Sequence, residues 1–193
     1  LGASVVAEYK EGTGGQVIVG GAGDIADNDN ETMVSLTVIL VNTPDGVDES
    51  LSVDALGGTS VSYDATTGVL LIDGEAAVTD YITMLQGVKY TNTRFDSDRG
   101  NPDTTTRTIT YVAFDGVDSS ASVTTNMGFE GVNDKPVIVL NVVTPVEFIE
   151  EKGSVALFSN SLQLVDIDTE TLAYIDVEIV NALDGDDEVL SFT

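Results

Sequence analysis

The feature that most constrains this chain is an internal repeat with an offset of 139 residues. Residues 8–52 align without a gap on residues 147–191, and sixteen of the 45 aligned positions are identical. A recurring unit of this length has the size of a domain, whereas solenoid repeats are much shorter. The sequence therefore predicts tandem copies of one domain, with residues 1–135 as the first copy and residues 136–193 as the N-terminal part of a second, truncated copy.

Both acidic and apolar residues are identical at many aligned positions of the repeat. Tandem repeats often carry their binding chemistry at the joints between units or along one face. The second copy has too few residues for a full core of the same design, so we expect the sequence to be an excerpt of a longer protein. The recurring acids include Asp27, Asp29, Glu31, Asp45, Asp48 and Glu49, which return as Asp166, Asp168, Glu170, Asp184, Asp187 and Glu188.

The charge balance narrows the possible partners. The chain has 33 Asp and Glu against seven Lys and Arg, for a formal net charge of -26. A compact chain of this kind must screen its own repulsion or bind cations, and nucleic acid is not an expected partner. Short Asp side chains in turns suit calcium, which takes about six to eight oxygen ligands. A solvated acidic surface of a salt-adapted protein explains the same composition, so both interpretations stay open.

The residues that the chain lacks argue against an enzyme. It has no cysteine and no histidine, which removes disulfides, soft-metal sites and the commonest general base. No stretch has the run of about 18 apolar residues that suggests a membrane span. We therefore expect no catalytic centre and no membrane insertion in this segment, and we expect any export signal to lie outside it.

Short runs of Val, Ile, Thr and Tyr, separated by Gly, Asp and Asn, are typical of an antiparallel β-sandwich. Val34, Leu36, Val38 and Leu40 alternate with other residues, which predicts one buried face. The predicted strands are residues 4–9, 16–19, 33–42, 49–55, 60–63, 69–72, 88–91, 106–114 and 120–129.

One segment breaks the β pattern. Residues 78–85 carry apolar side chains at helical spacing, which predicts a helix of one or two turns that crosses between sheets. Thr79 or Asp80 is a candidate N-cap, and Gly87 is a candidate stop. Upstream, the turn that ends at Gly68 separates two strand runs and predicts a hairpin.

A series of short motifs carries a family resemblance. In order, they are Tyr63-Asp64-Ala65-Thr66-Thr67-Gly68-Val69-Leu70, Tyr90-Thr91-Asn92-Thr93, Asn101-Pro102, Thr106-Arg107-Thr108-Ile109, Asp115-Gly116 and Val132-Asn133-Asp134-Lys135-Pro136. Together they resemble the cadherin-like tandem repeats of giant bacterial surface adhesins and related extracellular proteins. Residues 78–90 are also similar to the chondroitin-sulfate-proteoglycan type of repeat. The resemblance covers nearly the whole chain and implies an immunoglobulin/cadherin-like antiparallel β-sandwich in tandem repeats, with one short helix inserted per repeat.

The same resemblance implies calcium ligands at the joints between repeats. Glu11 resembles the acid that ends the first strand, and Asp27 with Asp29 resembles the Asp-x-Asp motif after the second strand. Asp115 resembles the acid that opens the last strand pair. Asn133 with Asp134 resembles the linker Asn-Asp, although only Lys135 separates Asp134 from Pro136, where cadherin linkers carry a second Asn and one more residue. The metal candidates are Glu11, Glu130, Asn133, Asp134, Asp166, Asp168, Asp27, Asp29 and Asp115.

The expected path of the chain supports this assignment. At about 3.3 Å per residue, the stretch from Pro136 to Glu150 can span the length of a sandwich domain. The chain then returns, which brings Asp166 and Asp168 back beside the linker. By the same path the first copy would present Asp27, Asp29 and Asp115 to a preceding repeat. One joint would gather Glu11, Glu130, Asn133, Asp134, Asp166 and Asp168.

The expected function is therefore an extracellular structural or adhesive repeat at the cell surface, whose calcium-bound joints stiffen a rod. Its expected partners are the neighbouring repeats of the same chain, with a protein or glycan ligand as a further possibility. Two alternatives stay open: a glycan- or protein-binding module in which metal is incidental, and a plain acidic spacer. The loops at residues 45–49 and 184–188 are either sites for a further ion or plain acidic turns.

Overall fold

The computed structural model describes residues 7–29, 31–94, 100–140, 146–158, 162–169 and 171–191. The chain divides into two compact units, Leu1–Asp134 and Lys135–Thr193. The fold is all-β, with a single α-helix in the described part of the chain. In those residues, no helix is both long enough and apolar enough to cross a membrane.

The strands of the first unit fall into two sheets. Their bounds are β1 Ala7–Lys10, β2 Gln16–Val17, β3 Thr32–Leu40, β4 Glu49–Ser52, β5 Ser60–Asp64, β6 Val69–Ala77, β7 Lys89–Asn92, β8 Arg107–Phe114 and β9 Val123–Glu130. The larger sheet has the order β1-β9-β8-β3-β6-β5, and the smaller has the order β2-β7-β4. The pairs are antiparallel except for β1 and β9, which run parallel, contrary to the purely antiparallel expectation.

Each predicted strand of the first unit coincides with an observed one, and the differences lie at the ends. β2 is only two residues long, and β6 extends five residues beyond its predicted end. Residues 4–6 of the first predicted strand lie outside the described residues. The positions of the strands along the chain therefore follow the runs of β-branched and aromatic residues.

β3 lies inside the larger sheet, between β6 and β8. Its burial follows the predicted alternation at Leu36, Val38 and Leu40. The prediction is wrong at Val34, because the pairing with β6 shifts register immediately after Met33. Such an irregularity changes which side chains face inward, so that Met33 is buried and Val34 is only half-buried.

The predicted helix is α1, Val78–Gly87, which links β6 of the larger sheet to β7 of the smaller one. It buries Tyr81, Met84 and Leu85, and the Tyr81 hydroxyl lies 2.8 Å from the Val34 carbonyl oxygen. One face of the helix is therefore fixed against the larger sheet by apolar burial and a hydrogen bond.

The predicted end of α1 at Gly87 is confirmed, but the predicted N-cap is wrong. Ala77 occupies the N-cap position, and neither Thr79 nor Asp80 caps the helix. The chain enters the helix directly from β6, and the Val78 amide donates instead to the Glu31 carbonyl oxygen at 3.0 Å. A neighbouring backbone therefore satisfies the amide that a capping side chain would otherwise bind.

β5 and β6 form the predicted hairpin. The Asp64 carboxylate closes its turn by accepting hydrogen bonds from the Thr66 amide at 2.8 Å and the Thr67 hydroxyl at 2.9 Å. Gly68 has a φ of +70°, and a Cβ there would overlap the Leu40 carbonyl oxygen. Both constraints require glycine at this position.

The buried core of the described residues lies entirely in the first unit, between Tyr9 and Met127. It forms one cluster that contains residues of both sheets, including Leu36 of β3 and Tyr90 of β7, together with Leu85 of α1. The helix and the two sheets are therefore held by shared apolar burial.

The second unit contains two described strands, β10 Val137–Leu140 and β11 Leu162–Val165, which pair antiparallel. Residues 171–179 align on β3 in the repeat but are not a strand in the described structure. The interpretation of the second unit as a copy of the first stays a prediction. Seven repeat positions are buried in the first unit and exposed in the second: Tyr9/Phe148, Ile18/Leu157, Ile25/Leu164, Met33/Leu172, Leu36/Ile175, Val38/Val177 and Leu51/Leu190.

Candidate functional site

Glu11 and Glu130 lie next to each other, because the parallel strands β1 and β9 end together. The Glu11 amide donates to the Glu130 carbonyl oxygen at 3.0 Å, and Glu11 Oε2 accepts from the Val132 amide at 2.7 Å. Glu11 is only 7% exposed, whereas Glu130 forms an exposed ion pair with Lys10 at 3.3 Å. Two of the candidate ligands therefore share one strand end, and Glu11 also fixes the chain that leaves β9.

Asn133 and Asp134 follow directly from this strand end. The Asn133 side-chain amide donates to the Asp134 carbonyl oxygen at 2.6 Å, and Asp134 is half-buried while Asn133 is exposed. Because the Val132 amide binds the Glu11 carboxylate, Asn133 and Asp134 leave the first unit from the same end of its larger sheet. Four candidate ligands of the first unit are therefore near this end.

The other three candidates of the first unit lie at the opposite end. Asp27 and Asp29 precede the start of β3. Asp115 follows the end of β8, where Phe114 pairs with Ser35 near that start. Asp27 Oδ1 accepts from the Asp29 amide at 2.9 Å. Asp115 Oδ1 accepts from the amides of Val117 and Asp118, both at 2.7 Å. The carboxylates of Asp27 and Asp115 thus each close a backbone turn.

A cleft of about 440 Å³ lies at this second end, beside the start of α1. Its lining combines two acids with small and apolar side chains. The residues are Ile25, Ala26, Asp27, Glu31, Ala77, Val78 and Thr79.

In the second unit, Asp166 and Asp168 form the same turn as Asp27 and Asp29. Asp166 Oδ1 accepts from the Asp168 amide at 3.0 Å, close to the 2.9 Å of the first unit. Val165 pairs with Val137, so Asp166 follows β11 at the point where β10 begins. The Asp-x-Asp motif therefore has one local geometry in both units.

Calcium would find suitable donors in these residues, because carboxylate and amide oxygens are the ligands that it prefers. Among the described residues, however, no group of three or more acidic side chains is arranged so that it could hold a metal ion. The donor chemistry fits the ion, whereas the described geometry within each unit does not assemble a complete ligand set. Calcium binding stays a prediction.

Among the described residues, the most heavily buried polar site is one that the sequence analysis did not predict. Arg107, at the start of β8, is fully buried. Its Nη2 lies 2.8 Å from Asp45 Oδ2, and its Nε lies 3.1 Å from Glu49 Oε2. Its Nη1 donates to the carbonyl oxygens of Asp103 and Thr105. All three guanidinium nitrogens therefore have oxygen acceptors, which a buried charge requires.

Two residues of β7 complete this network. The Tyr90 hydroxyl donates to Glu49 Oε2 at 2.8 Å, and the Asn92 side-chain amide donates to Asp45 Oδ2 at 2.7 Å. The Phe129 ring lies 4.7 Å from the guanidinium carbon, within range of a cation–π contact. The network thus joins both sheets and the loop before β4.

Charge explains why these partners are needed. The buried network holds one guanidinium against two carboxylates, and Arg94 approaches Asp45 Oδ1 at 3.5 Å from a partly exposed position. Burial, followed by the negative charge of Glu49, raises the pKa of Tyr90, which keeps its hydroxyl protonated as a donor. In the first unit, the loop at residues 45–49 is therefore an acidic turn engaged by arginine.

A signal for this site was present in the sequence. Along β8, inward positions alternate with partly exposed ones, and Arg107 occupies the same phase as Ile109, Tyr111 and Ala113. A charged residue at an inward position requires buried partners. The alternation could have identified Arg107 as buried, although it could not have named Asp45 and Glu49.

The second unit repeats the carboxylate turn without this arginine. The Asp184 amide donates to Glu188 Oε1 at 3.0 Å, as the Asp45 amide donates to Glu49 Oε1 at 2.7 Å. Both turns contain a three-residue 3-10 helix, Gly46–Asp48 and Gly185–Asp187. Among the described residues, no ion pair reaches the carboxylates of the second turn.

Comparison with known proteins adds no relative: no family profile, no curated protein and no solved structure matches the chain.

Proposed function

We propose that this chain belongs to an extracellular structural or adhesive protein at the cell surface, in which tandem β-sandwich repeats bind calcium at their joints and form a stiff rod. One observation carries the proposal. The candidate ligands of the first unit are divided between the two ends of its larger sheet, with Glu11 and Glu130 at one end and Asp27, Asp29 and Asp115 at the other. A domain that shares ions with a neighbour on each side needs ligands at both ends.

The core supports the sandwich architecture of this proposal. Two sheets contribute to one buried cluster, and α1 connects β6 of the larger sheet to β7 of the smaller one. Layers that share a core in this way are the basis of the sandwich folds. The aligned residues and the matching Asp27/Asp166 turns support the tandem arrangement.

Calcium has a clear physical role in this proposal. Carboxylates gathered at a joint repel one another unless a cation lies between them, and the chain has a net charge of -26. Extracellular modules bind calcium with dissociation constants of about 10⁻⁴ to 10⁻³ M. At about a hundredfold excess of ion, linkage adds about 2.7 kcal/mol to stability. Removing calcium should loosen the joints before it affects the core.

The test combines calorimetric titration of calcium with small-angle scattering in calcium and in chelator. We expect binding of calcium and a larger maximum dimension when it is bound, because a stiff joint extends the chain. The double variant Asp166→Asn with Asp168→Asn should weaken binding, whereas the matched variant Asp176→Asn with Glu178→Gln removes the same charge outside the candidate sites and should not. Identical titration and scattering for all three proteins would favour the acidic spacer instead.

A further inference from the structure

Glu11 projects from β1 to the same side as Tyr9. Along this segment Tyr9 is fully buried, Lys10 is exposed and Glu11 is only 7% exposed. Alternate residues of an extended chain face the same side, so the Glu11 carboxylate lies on the side of β1 that faces the smaller sheet. Contacts that fix Tyr9 therefore also fix the start of the Glu11 side chain.

Tyr9 fastens β1 to β7 of the smaller sheet. Its hydroxyl donates to the Asn92 carbonyl oxygen and accepts from the Asn92 amide, both at 3.2 Å. Its ring lies edge-to-face against the Tyr90 ring, with 4.8 Å between the ring centroids. A single side chain thus holds the two sheets together two residues before Glu11.

Phe129 connects this point to the buried arginine. It pairs with Tyr9 in the β1–β9 ladder, and the centroids of the two rings are 5.1 Å apart. The Phe129 ring also lies 4.7 Å from the guanidinium carbon of Arg107. Arg107 therefore supports the strand pair whose ends carry Glu11 and Glu130.

Arg107 reaches the Glu11 carboxylate by a second route, through the loop before β8. Its Nη1 donates to two carbonyl oxygens within residues 103–105. A Cβ placed on Gly131 would lie 3.8 Å from Glu11 Oε2 and 4.0 Å from Thr104 Cγ2. The loop that Arg107 holds and the Glu11 carboxylate therefore both lie beside Gly131.

We propose that Tyr9 and Arg107 are positioning residues, which hold the carboxylate of Glu11 in place for a cation at the end of the larger sheet. Glu11 Oε2 accepts from the Val132 amide at 2.7 Å. A carboxylate has about four acceptor positions, so this contact is compatible with a bound cation. The inference rests on the proposed function for its ion, whereas the position of Glu11 can be measured without calcium.

The burial of the candidate ligands at this end explains why Glu11 is the one that the fold positions. Glu11 is buried, Asp134 is half-buried, and Glu130 and Asn133 are exposed. A ligand that is ordered before binding does not lose further conformational freedom when the ion arrives. Residues that hold a metal ligand in place typically change metal affinity by about 10–100-fold when they are substituted.

The first experiment measures amide hydrogen exchange of Val132 by NMR, with chelator present. Tyr9→Phe keeps the ring and removes the hydroxyl that binds Asn92, so the Val132 amide should exchange about tenfold faster, as expected for the loss of about one hydrogen bond. Tyr111→Phe is the matched control, because Tyr111 is also fully buried and its hydroxyl lies 3.1 Å from that of Thr125. It should leave the Val132 exchange rate unchanged. Equal rates in the two variants would overturn the proposal.

The second experiment measures calcium affinity of the whole chain by calorimetric titration. Tyr9→Phe and Arg107→Lys should each bind calcium about tenfold more weakly, and Tyr111→Phe should bind normally. Arg107→Lys keeps the charge but loses the planar fork that holds the loop. Circular dichroism shows which variants fold. If Arg107→Lys does not fold, Phe129→Leu takes its place, because it removes the ring between the guanidinium and Tyr9.

The two measurements distinguish this inference from the proposed function. Normal calcium affinity in Tyr9→Phe would overturn the positioning role, even if the Val132 amide exchanged faster. If the unchanged protein bound no calcium while Tyr9→Phe still accelerated exchange at Val132, the proposed function would fail and the positioning of Glu11 would be supported.

Discussion

The loops Asp45–Glu49 and Asp184–Glu188 have the same backbone turn in two different surroundings. In the first unit, Asp45 and Glu49 are buried and bound by Arg107, whereas in the second unit Asp184 is exposed and Glu188 is half-buried. The hydrogen bond from Asp to Glu is present in both. The turn is therefore encoded by local sequence, and its burial depends on a strand that comes 58 residues after Glu49 in the chain.

The largest expected effect follows from removal of the buried cation. Arg107→Gln leaves Asp45 and Glu49 buried without their partner, which should cost about 3–5 kcal/mol of unfolding free energy. Urea denaturation followed by tyrosine circular dichroism would measure it. Arg94→Gln is the matched control, because its contact with Asp45 is long and partly exposed, and it should cost less than about 1 kcal/mol. An equal loss of unfolding free energy in the two variants would show that burial does not make the Arg107 contacts stronger than the Arg94 contact.

A second pair of variants compares the apolar surroundings. Leu36→Ala removes a fully buried side chain and should cost about 2–5 kcal/mol. Ile175→Ala, at the aligned and exposed position, should change the unfolding free energy by less than about 0.5 kcal/mol. The same denaturation experiment distinguishes them. A large cost at Ile175 would mean that the second unit has a closed core.

A third pair compares the carboxylates themselves. Glu49→Gln weakens the contacts with Arg107 and Tyr90, so we expect a loss of about 1.5–3 kcal/mol. Glu188→Gln changes a turn that has no buried cation among the described residues, and its thermal melting should match that of the unchanged protein. If both substitutions destabilise equally, the local turn rather than the ion pair is the source of stability.

The smallest expected effect per side chain is a pH dependence from buried tyrosines of the first unit. Burial raises the pKa of Tyr81 to about 12 and raises the pKa of Tyr90 and Tyr111. These tyrosines stay neutral in the folded state while the unfolded chain ionises near pH 10. Stability is therefore full below pH 10 and falls above it, by about 1.4 kcal/mol per pH unit for each such tyrosine.

Denaturation at pH 8, 10 and 11 would measure this fall. Tyr111→Phe keeps the ring and removes one ionisable group, so its stability should fall less steeply above pH 10. An identical slope for Tyr111→Phe and the unchanged protein would show that Tyr111 does not take part.

The sequence predicted the elements of the first unit well, because alternation and helical spacing are local. It placed β8 and α1 within a few residues of their observed bounds. It failed at Val34 and at the N-cap of α1, where an interstrand irregularity and a neighbouring carbonyl decide the outcome. Both the irregularity and the carbonyl contact involve residues that are distant in the sequence, so local patterns do not predict them.

The candidate site was less accessible to sequence reasoning. The contact between Glu11 and Val132 joins residues that are 121 positions apart, and the contact between Arg107 and Asp45 spans 62. Such contacts depend on strand order and register, which composition does not specify. The Asp-x-Asp turns could be anticipated, since an Asp side chain commonly binds the amide two residues later.

The parallel pairing of β1 with β9 has a mechanical consequence. The four registered residue pairs run from Ala7↔Met127 to Lys10↔Glu130, so a pull on the N-terminal side of β1 and on the C-terminal side of β9 acts along the ladder in opposite directions. Its hydrogen bonds then share the load in shear, rather than opening one after another as in a peeled hairpin. The β1–β9 pair therefore resists tension applied between the N-terminal end of β1 and the C-terminal end of β9.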